Sequence, residues 1–295
     1  KFDFLFKKYN YSINMVTFTD NENNSISKLH KLKKLNVDGL EFEIGFGKNI
    51  TQSKFMNVLK MLKSNIGNKY KFTKSTTLDI SVYENSSIHN NKNFNLRFTL
   101  NGKDAISNYC SLNELSTLNY DVLYKKINKF KQEDGDIFPY SIGDKTLLDI
   151  ADYDLRYNLK KEISLSKETK LFDDKVANNE WKRYTNLLSN KGNRFIELYK
   201  TFRLKNRYSF QTLDDSVRFD LTVVQSSFED LNNNGYSVQV PVKEFIDSKL
   251  LEQDKTFEIE MELFPDLDGG ILIDYDYYKE IIENNIDIVL KSINN

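Results

Sequence analysis

Three glutamates occupy every second position of the segment Phe257–Leu263. Successive side chains of a β-strand point to opposite faces of the sheet. The segment therefore predicts a strand with Glu258, Glu260 and Glu262 on one face and apolar side chains on the other. Because like charges on one face of a sheet repel one another, this face favours a site in which other strands supply cations.

Two further segments alternate charged and apolar residues in the same way. The segment Leu40–Ile44 predicts a second acidic strand, and the segment Arg203–Arg207 predicts a basic one. Their charged residues are Glu41 and Glu43 in the first, and Arg203, Lys205 and Arg207 in the second. Other predicted strands continue the pattern with Arg97, with Arg156, Lys160 and Glu162, and with Arg218 and Asp220. At least five predicted strands thus carry charge on one face only.

These strands predict an α+β fold built on an antiparallel sheet. Helices are predicted at 25–35, 51–64, 103–131 (mostly helical, with a solvated basic tail), 176–188, 243–251 and 275–293. The remaining strands are predicted at 76–83, 94–100, 147–150, 153–166, 195–211, 217–225 and 237–242. Since so many strands are charged on one face, we expect a closed barrel with a charged lumen and an apolar outer face covered by helices. The alternative is an ordinary sheet whose charged face is solvated.

The sequence contains no internal repeat and no linker rich in proline, glycine or serine, so one domain is expected over residues 1–295. Residues 1–36 are predicted to form an N-terminal extension with a helix. Residues 101–196 are predicted to include a helical insertion. The chain begins at Lys1, which is typical of a piece of a longer protein.

Composition restricts the chemistry that the chain can support. A formal net charge of −1 gives no global attraction for nucleic acid or a membrane, so any electrostatic function depends on local charge separation. The single cysteine, Cys110, excludes an intrachain disulfide and a multi-cysteine metal site, and is interpreted as a buried or incidental thiol. His30 and His89 lie in polar segments and are predicted at the surface, which disfavours histidine-based chemistry. No apolar run approaches the ~20 residues that span a bilayer, and a cytoplasmic protein is expected.

A lumen with this charge pattern suits the chemistry of phosphates. Carboxylate oxygens are hard ligands suited to Mg²⁺ or Mn²⁺. Lysine and arginine side chains bind phosphate oxygens, arginine in a bidentate manner. Phosphoryl transfer requires mainly positioning and charge neutralisation, which side chains on rigid strands provide.

The two acidic strands and the basic strand between them resemble the motifs of the triphosphate tunnel metalloenzymes. The segments that carry the resemblance are 40–43, 203–210, 217–222 and 257–263, in that order. They are most similar to the metal-dependent RNA 5′-triphosphatases of mRNA capping in fungi and large DNA viruses, above all to the N-terminal domain of giant-virus capping enzymes. The resemblance implies an eight-stranded antiparallel tunnel. It also implies removal of the γ-phosphate from 5′-triphosphate RNA, and hydrolysis of free NTPs with manganese or cobalt. The expected cofactor is Mn²⁺ or Mg²⁺.

The resemblance further implies roles for individual residues. The implied metal ligands are Glu41, Glu43 and Glu262. The residues implied to position the attacking water are Glu258 and Glu260. The implied contacts to the triphosphate, both catalytic and substrate-binding, are Arg203, Lys205 and Arg207. The remaining residues implied to line the substrate site are Arg97, Arg156, Lys160, Arg218 and Asp220, where Asp220 would orient its basic neighbours.

One motif of the capping enzymes is missing. Capping guanylyltransferases carry a Lys-x-Asp-Gly nucleophile motif, whereas the nearest string here is Asn36-Val37-Asp38-Gly39. Guanylyltransferase and methyltransferase domains are therefore expected outside this chain. Two alternatives stay open: another tunnel-fold enzyme, such as a polyphosphate polymerase or a tripolyphosphate or thiamine triphosphate hydrolase, and a non-catalytic polyanion-binding module. If the source is viral, the host cytoplasm, a viral factory or the virion is the expected location.

Overall fold

A computed structural model describes residues 40–47, 49–86, 93–115, 120–126, 147–165, 179, 181–186, 195–264 and 275–294. The helix predicted at 25–35, the rest of the extension 1–36, and the two histidines lie outside these residues. No described helix combines the length and the apolar character that crossing a membrane requires.

Nine of the described strands form one antiparallel sheet. They are β1 (Leu40–Phe46), β2 (Tyr70–Tyr83), β3 (Asn93–Asn101), β4 (Tyr120–Lys126), β5 (Leu147–Ile150), β6 (Leu155–Leu165), β7 (Tyr199–Thr212), β8 (Val217–Ser226) and β11 (Thr256–Leu263). Strands β9 (Glu229–Leu231) and β10 (Ser237–Gln239) form a separate hairpin. The prediction of an α+β fold with a large antiparallel sheet is confirmed, whereas the expected strand number of eight is exceeded by β5, which pairs with the start of β6.

The order of strands in the sheet is β1-β11-β8-β7-β2-β3-β4-β6-β5. Strand β1 pairs with β11 along one edge, from Phe42 opposite Leu263 to Gly45 opposite Glu260. Along its other edge β1 pairs with β6, from Leu40 opposite Lys161 to Phe46 opposite Leu155. Strand β6 also pairs with β4. The closed barrel expected from the sequence is not shown, and the sheet is described by its pairings alone.

Three long helices accompany the sheet: α1 (Gln52–Lys63), α2 (Lys103–Leu112) and α3 (Tyr275–Asn294). Helix α1 begins where the Thr51 side chain accepts a hydrogen bond from the Lys54 amide, as expected of an N-cap threonine. Its buried residues Phe55, Val58, Leu59 and Leu62 recur at helical spacing and form one face. The predictions of helices at 51–64 and 275–293 are confirmed.

Two helix predictions are wrong over much of their length. The helix predicted at 103–131 ends at Leu112, because Asn113 adopts a left-handed conformation (φ 52°) there, and β4 follows. The helix predicted at 243–251 is replaced by two short 3-10 turns, Ile246–Ser248 and Leu250–Glu252. Lys249 separates these turns and has φ 49°, which interrupts helical hydrogen bonding.

The apolar face of the sheet is covered in two places. Helices α1 and α3 pack over one buried cluster, to which β1, β8 and β11 contribute Phe42, Phe219 and Ile259. Helix α2, the helical residues 181–186 and the turn at Leu250 cover a second cluster, which includes Ile80, Phe98 and Phe202. The charged face of the sheet is the opposite one, so the predicted segregation of charge and apolar groups is present in the fold.

Packing of α3 against the first cluster predicts a large effect of truncating Ile286, which has no exposed surface. The variant Ile286→Ala should lower the free energy of unfolding by roughly 2–5 kcal/mol, through lost apolar burial and the cavity that remains. Urea denaturation measures this change. Ile246→Ala is the matched control, because Ile246 is 75% exposed and its truncation should change stability by less than about 0.5 kcal/mol.

Candidate active site

The pairing register aligns charged residues of separate strands into rows across the polar face. The first row contains Lys71, Gln211, Arg218, Glu262, Glu43 and Asn158, on β2, β7, β8, β11, β1 and β6 respectively. The second row contains Thr73, Ser209, Asp220, Glu260, Gly45 and Arg156 on the same strands. The third row contains Ser75, Arg207, Thr222 and Glu258 on β2, β7, β8 and β11. Lys205 and Arg203 follow at alternate positions of β7, and Arg203 lies opposite Asp79 of β2.

Asp220 forms ion pairs with two of the predicted cations. Its carboxylate lies 3.3 Å from Arg207 Nη1 and accepts a hydrogen bond of 3.1 Å from Arg218 Nε. The Ser209 hydroxyl donates a further bond of 2.5 Å to it. Asp220 therefore lies between Arg207 and Arg218, and its role in the site stays a prediction.

Asp79 binds two other cations of the candidate site, and it was not among the residues predicted from the sequence. Its carboxylate lies 2.5 Å from Lys205 Nζ and 3.6 Å from Arg97 Nη1, and it accepts a bond of 2.9 Å from the Thr99 hydroxyl. The signal that could have revealed it is a lone acid between Leu78 and Ile80 in a predicted strand, since a charge between buried residues needs a partner.

Two glutamates of β11 form ion pairs with arginines of β7 and β8. Arg203 Nη2 donates to Glu258 at 2.6 Å, and Arg218 Nη2 forms an ion pair with Glu262. Glu260 lies between these two pairs, opposite Asp220, and its charge acts on Arg207. Ion pairs between acidic and basic side chains therefore connect β7, β8 and β11.

Several of these charged groups are buried although they lie opposite the apolar clusters. The residue exposures are 4% for Asp220, 5% for Asp79 and 8% for Lys205. Helices cover the other face of the sheet, so neighbouring residues on the polar face itself shield these groups from solvent. Burial of this kind strengthens every electrostatic interaction within the cluster.

The buried environment shifts the pKa of the clustered groups. Burial lowers the pKa of Lys205 to about 8, against the opposing influence of Asp79, and the charges of Arg203 and Arg97 lower it further. Burial alone would raise the pKa of Asp79, but the charges of Lys205 and Arg97 outweigh it, so this pKa is lowered. Burial opposes the charge on Arg207, yet the carboxylates of Asp220 and Glu260 raise its pKa.

Three predicted site residues are placed less centrally. Arg156 occupies the second row, but it is exposed and its guanidinium donates to Asp149 of β5 at 2.7 and 3.1 Å. Lys160 and Glu41 lie opposite each other in the register of β6 and β1. The side chains of Glu41 and Lys160 lie outside the described part of the structure, so their roles stay predictions.

The residue types on this part of the polar face suit a divalent metal. Glu43 lies directly opposite Glu262, and Glu260 occupies the next row, so these three carboxylates share one face of the sheet. Residues directly opposite in an antiparallel pair have Cβ atoms about 4.5–5.5 Å apart, within reach of one ion. Within the described residues, no group of three or more His, Cys, Asp or Glu side chains is already arranged around a metal position.

Cys110 is remote from this chemistry. It lies on helix α2 and is partly exposed, and burial raises the pKa of its thiol to about 11. A thiol with a raised pKa is a poor nucleophile at neutral pH.

Comparison with solved structures gives a clear likeness. The Mimivirus capping enzyme triphosphatase, in a monoclinic crystal form, is 20% identical with a TM-score of 0.57, over 93% of this chain and 100% of that one. The RNA triphosphatase domain of the trifunctional Mimivirus mRNA capping enzyme aligns at 20% identity and a TM-score of 0.57, over 94% of this chain and 99% of that one. This chain has the fold of that triphosphatase domain. No protein-family model and no curated protein sequence matches the chain significantly.

The Asp79 cluster predicts a strongly coupled pair. Removing the carboxylate in Asp79→Leu leaves the buried Lys205 ammonium without its ion-pair partner, and should cost roughly 3–5 kcal/mol of unfolding free energy. The double variant Asp79→Leu/Lys205→Met removes that ammonium as well and should recover a large part of the loss. Urea denaturation of both single variants and the double variant measures the coupling; additive losses would contradict it.

The same cluster predicts an acid-dependent component of stability. Because the folded pKa of Asp79 is lowered, its ionised form stabilises the fold above the unfolded value of about 3.9. This stabilisation is lost as pH falls through the folded pKa. Asp79→Asn should flatten the fall of unfolding free energy below about pH 4. Asp121→Asn, an exposed position on β4, should retain the wild-type slope.

Proposed function

We propose that this chain is a divalent-metal-dependent RNA 5′-triphosphatase. It would remove the γ-phosphate from 5′-triphosphate RNA in the first step of mRNA capping, and hydrolyse NTPs as well. The observation that carries the proposal is the convergence of Arg203, Lys205, Arg207 and Arg218 with the glutamates of β11 on one face of the sheet. The fold shared with a capping-enzyme triphosphatase supports it.

The polar face would line a tunnel. Three findings support this arrangement: β1 pairs with both β11 and β6, helices cover the apolar face in two places, and charged groups on the polar face are buried. A tunnel of eight strands would consist of the ring from β1 through β11, β8, β7, β2, β3 and β4 to β6, with β5 outside it.

The cations would hold the triphosphate. Arg207 and Lys205 lie at consecutive positions on the polar face of β7, so they can contact successive phosphate groups. Asp220 and Asp79 hold these two side chains in place, which reduces the entropy lost when phosphate binds. Arg97, Arg203 and Arg218 would add contacts from neighbouring positions, with Arg156 and Lys160 further round the sheet.

The carboxylates would hold the metal and the water. Glu43 and Glu262, with Glu41 on the same strand as Glu43, would ligate Mn²⁺ or Mg²⁺, which supplies charge stabilisation at the terminal phosphate when bound. Glu258 and Glu260 would accept hydrogen bonds from the attacking water and orient it. The water oxygen would bond to the γ-phosphorus as the bond from that phosphorus to the bridging oxygen breaks. The products would be 5′-diphosphate RNA and orthophosphate, with a proton of the water released to the solvent.

The proposal extends to the partners of the chain. The Mimivirus relative is part of a trifunctional mRNA capping enzyme. Guanylyltransferase and methyltransferase domains outside this chain would then act on the 5′-diphosphate end that it produces. A host-cytoplasmic location follows only if the source is viral.

Glu262→Ala tests the catalytic assignment. Loss of a metal-binding carboxylate should lower the release of γ-phosphate from labelled triphosphate RNA by at least about 100-fold. The far-ultraviolet circular dichroism spectrum should be retained. Glu229→Ala, an exposed glutamate on β9, is the control and should keep wild-type turnover. Normal turnover by Glu262→Ala would contradict the proposal, and a preference for tripolyphosphate over triphosphate RNA in competition would favour another tunnel enzyme.

The lowered pKa of Lys205 predicts that the KM for a polyphosphate substrate depends on pH in the basic range. Since this pKa is about 8, the ammonium loses its proton above that pH, and the KM for tripolyphosphate should rise between about pH 8 and pH 10. Lys205→Arg keeps a cation throughout this range and should abolish the rise in KM. Lys200→Met is the control. Burial also lowers the pKa of Lys200, to about 7, but its Nζ donates to the backbone carbonyls of Phe195 and Leu198, next to the second apolar cluster and away from the candidate site. A wild-type KM that stays flat over this range would contradict the assignment.

A further inference from the structure

A stretch without acidic residues adjoins the proposed tunnel. Between Glu43 and Asp79 the sequence contains seven lysines and no aspartate or glutamate, although the whole chain balances 42 basic against 43 acidic residues. The lysines are Lys48, Lys54, Lys60, Lys63, Lys69, Lys71 and Lys74. Six of them, all except Lys48, lie in the described residues, and all six are exposed.

The fold brings several of these lysines together at the end of the β2–β7 pair. Lys63 in the last turn of α1 and Lys74 on β2 both lie over the ring of Tyr208, at 5.5 and 5.2 Å from its centroid. The carbonyl of Lys69 accepts a hydrogen bond from the Leu213 amide, which ties the loop after α1 to the β7–β8 hairpin. We call the exposed residues Lys60, Lys63, Lys69 and Lys74 the lysine surface.

Few carboxylates neutralise this surface. Among the described residues, Lys71 alone of the six lysines has an ion-pair partner, Asp215 at 2.7 Å. Helix α3 packs against α1, but two of its acidic residues pair within α3 itself, Glu283 with Lys279 and Asp287 with Lys291. The lysine surface therefore keeps a strong local positive charge in a chain of formal net charge −1.

The surface also carries exposed apolar groups and adjoins the candidate active site. Ile66, Phe72 and Leu213 are 41%, 36% and 51% exposed. Lys71 lies on the polar face of β2, in the same register row as Arg218, Glu262 and Glu43. Phe72 and Lys74 lie on the outer face of the sheet, opposite Phe210 and Tyr208 of β7. The lysine surface is thus on the outer side of the sheet, next to the rim that Lys71 marks and at the end where the proposed metal ligands lie.

We propose that the lysine surface binds the single-stranded RNA that follows the 5′-triphosphate. This inference rests on the proposed function and specifies its substrate as RNA in preference to free nucleotide. Exposed lysines would neutralise successive backbone phosphates, and Phe72 would offer a ring on which a base stacks. An RNA whose triphosphate lies among the cations of β7 would leave the polar face across this rim.

Neutralising three lysines tests the proposal. The probe is a fluorescein-labelled 5′-hydroxyl oligoribonucleotide of about ten nucleotides, whose binding needs neither a triphosphate nor turnover. In the variant Lys63→Gln/Lys69→Gln/Lys74→Gln its Kd should rise at least about tenfold at low salt. The slope of log Kd against log salt concentration should fall by about 2, since each lost phosphate contact on single-stranded RNA contributes about 0.7.

The matched control removes the same charge elsewhere. Lys182→Gln/Lys249→Gln/Lys255→Gln replaces three exposed lysines outside the lysine surface, and should leave the Kd within about twofold of wild type. Phe72→Ala should weaken binding about fivefold or more without changing the salt slope. Equal losses in the two triple variants, or an unchanged Kd in the first, would overturn the proposal. Equal competition by polyglutamate and RNA would overturn it too, because the surface would then lack selectivity for RNA.

Catalytic measurements separate this inference from the proposed function. In the first triple variant the KM for triphosphate RNA should rise in proportion to the Kd, and the KM for tripolyphosphate should rise less. Lysine-dependent RNA binding by a chain that releases no γ-phosphate would contradict the proposed function alone. Normal triphosphatase activity with RNA binding that ignores these lysines would contradict this inference alone.

Discussion

The pairing of Asp79 and Asp220 with the cations of β7 is the interaction on which the candidate site depends. Arg203, Lys205 and Arg207 stand at alternate positions of one strand, so they share a face and repel one another. The two flanking strands each supply one buried carboxylate, and each carboxylate binds two cations and one hydroxyl. Each carboxylate contacts two cations, and Arg218 beside Asp220 also pairs with Glu262. The carboxylates thus fix the positions of the cations.

Much of this arrangement could be predicted from the sequence, because period-two charge alternation is a direct consequence of strand geometry. The alternation identified the polar faces of β1, β7, β8 and β11, and helical spacing identified α1 and α3. Asp79 was missed because the strand predicted at 76–83 contains one charge among Thr, Leu, Ile and Ser, so no alternation marks it. The first half of β2 was missed for a related reason. Tyr70–Ser75 is polar and lysine-rich, and only its pairing with β7 makes it a strand.

The errors in the middle of the chain arise where the limits of an element depend on one residue and its tertiary contacts. Asn113 ends α2 with a left-handed conformation, its side chain accepting from the Tyr109 hydroxyl and donating to the Lys243 carbonyl. The second of these partners is distant in sequence, so the helix end is fixed by tertiary contact that no local pattern contains. Strand β4 is then defined by pairing with β3 and β6, since its sequence Tyr120–Lys126 shows no clear alternation of polar and apolar residues. Sequence patterns predict long amphipathic elements well, and predict poorly those elements whose limits depend on partners.

The two sets of lysines in this protein differ in what surrounds them, and this difference bears on how a polyanion would be recognised. Lys205 is buried against Asp79, so its charge acts at short range on groups that have already lost most of their water. The lysine surface is exposed and almost free of carboxylates among the described residues, so its field extends about a Debye length into solution and weakens with salt. A short polyphosphate can use only the first set, whereas RNA can use both. The buried cluster would therefore determine which phosphate end is accepted, and the surface would determine how strongly the attached chain contributes.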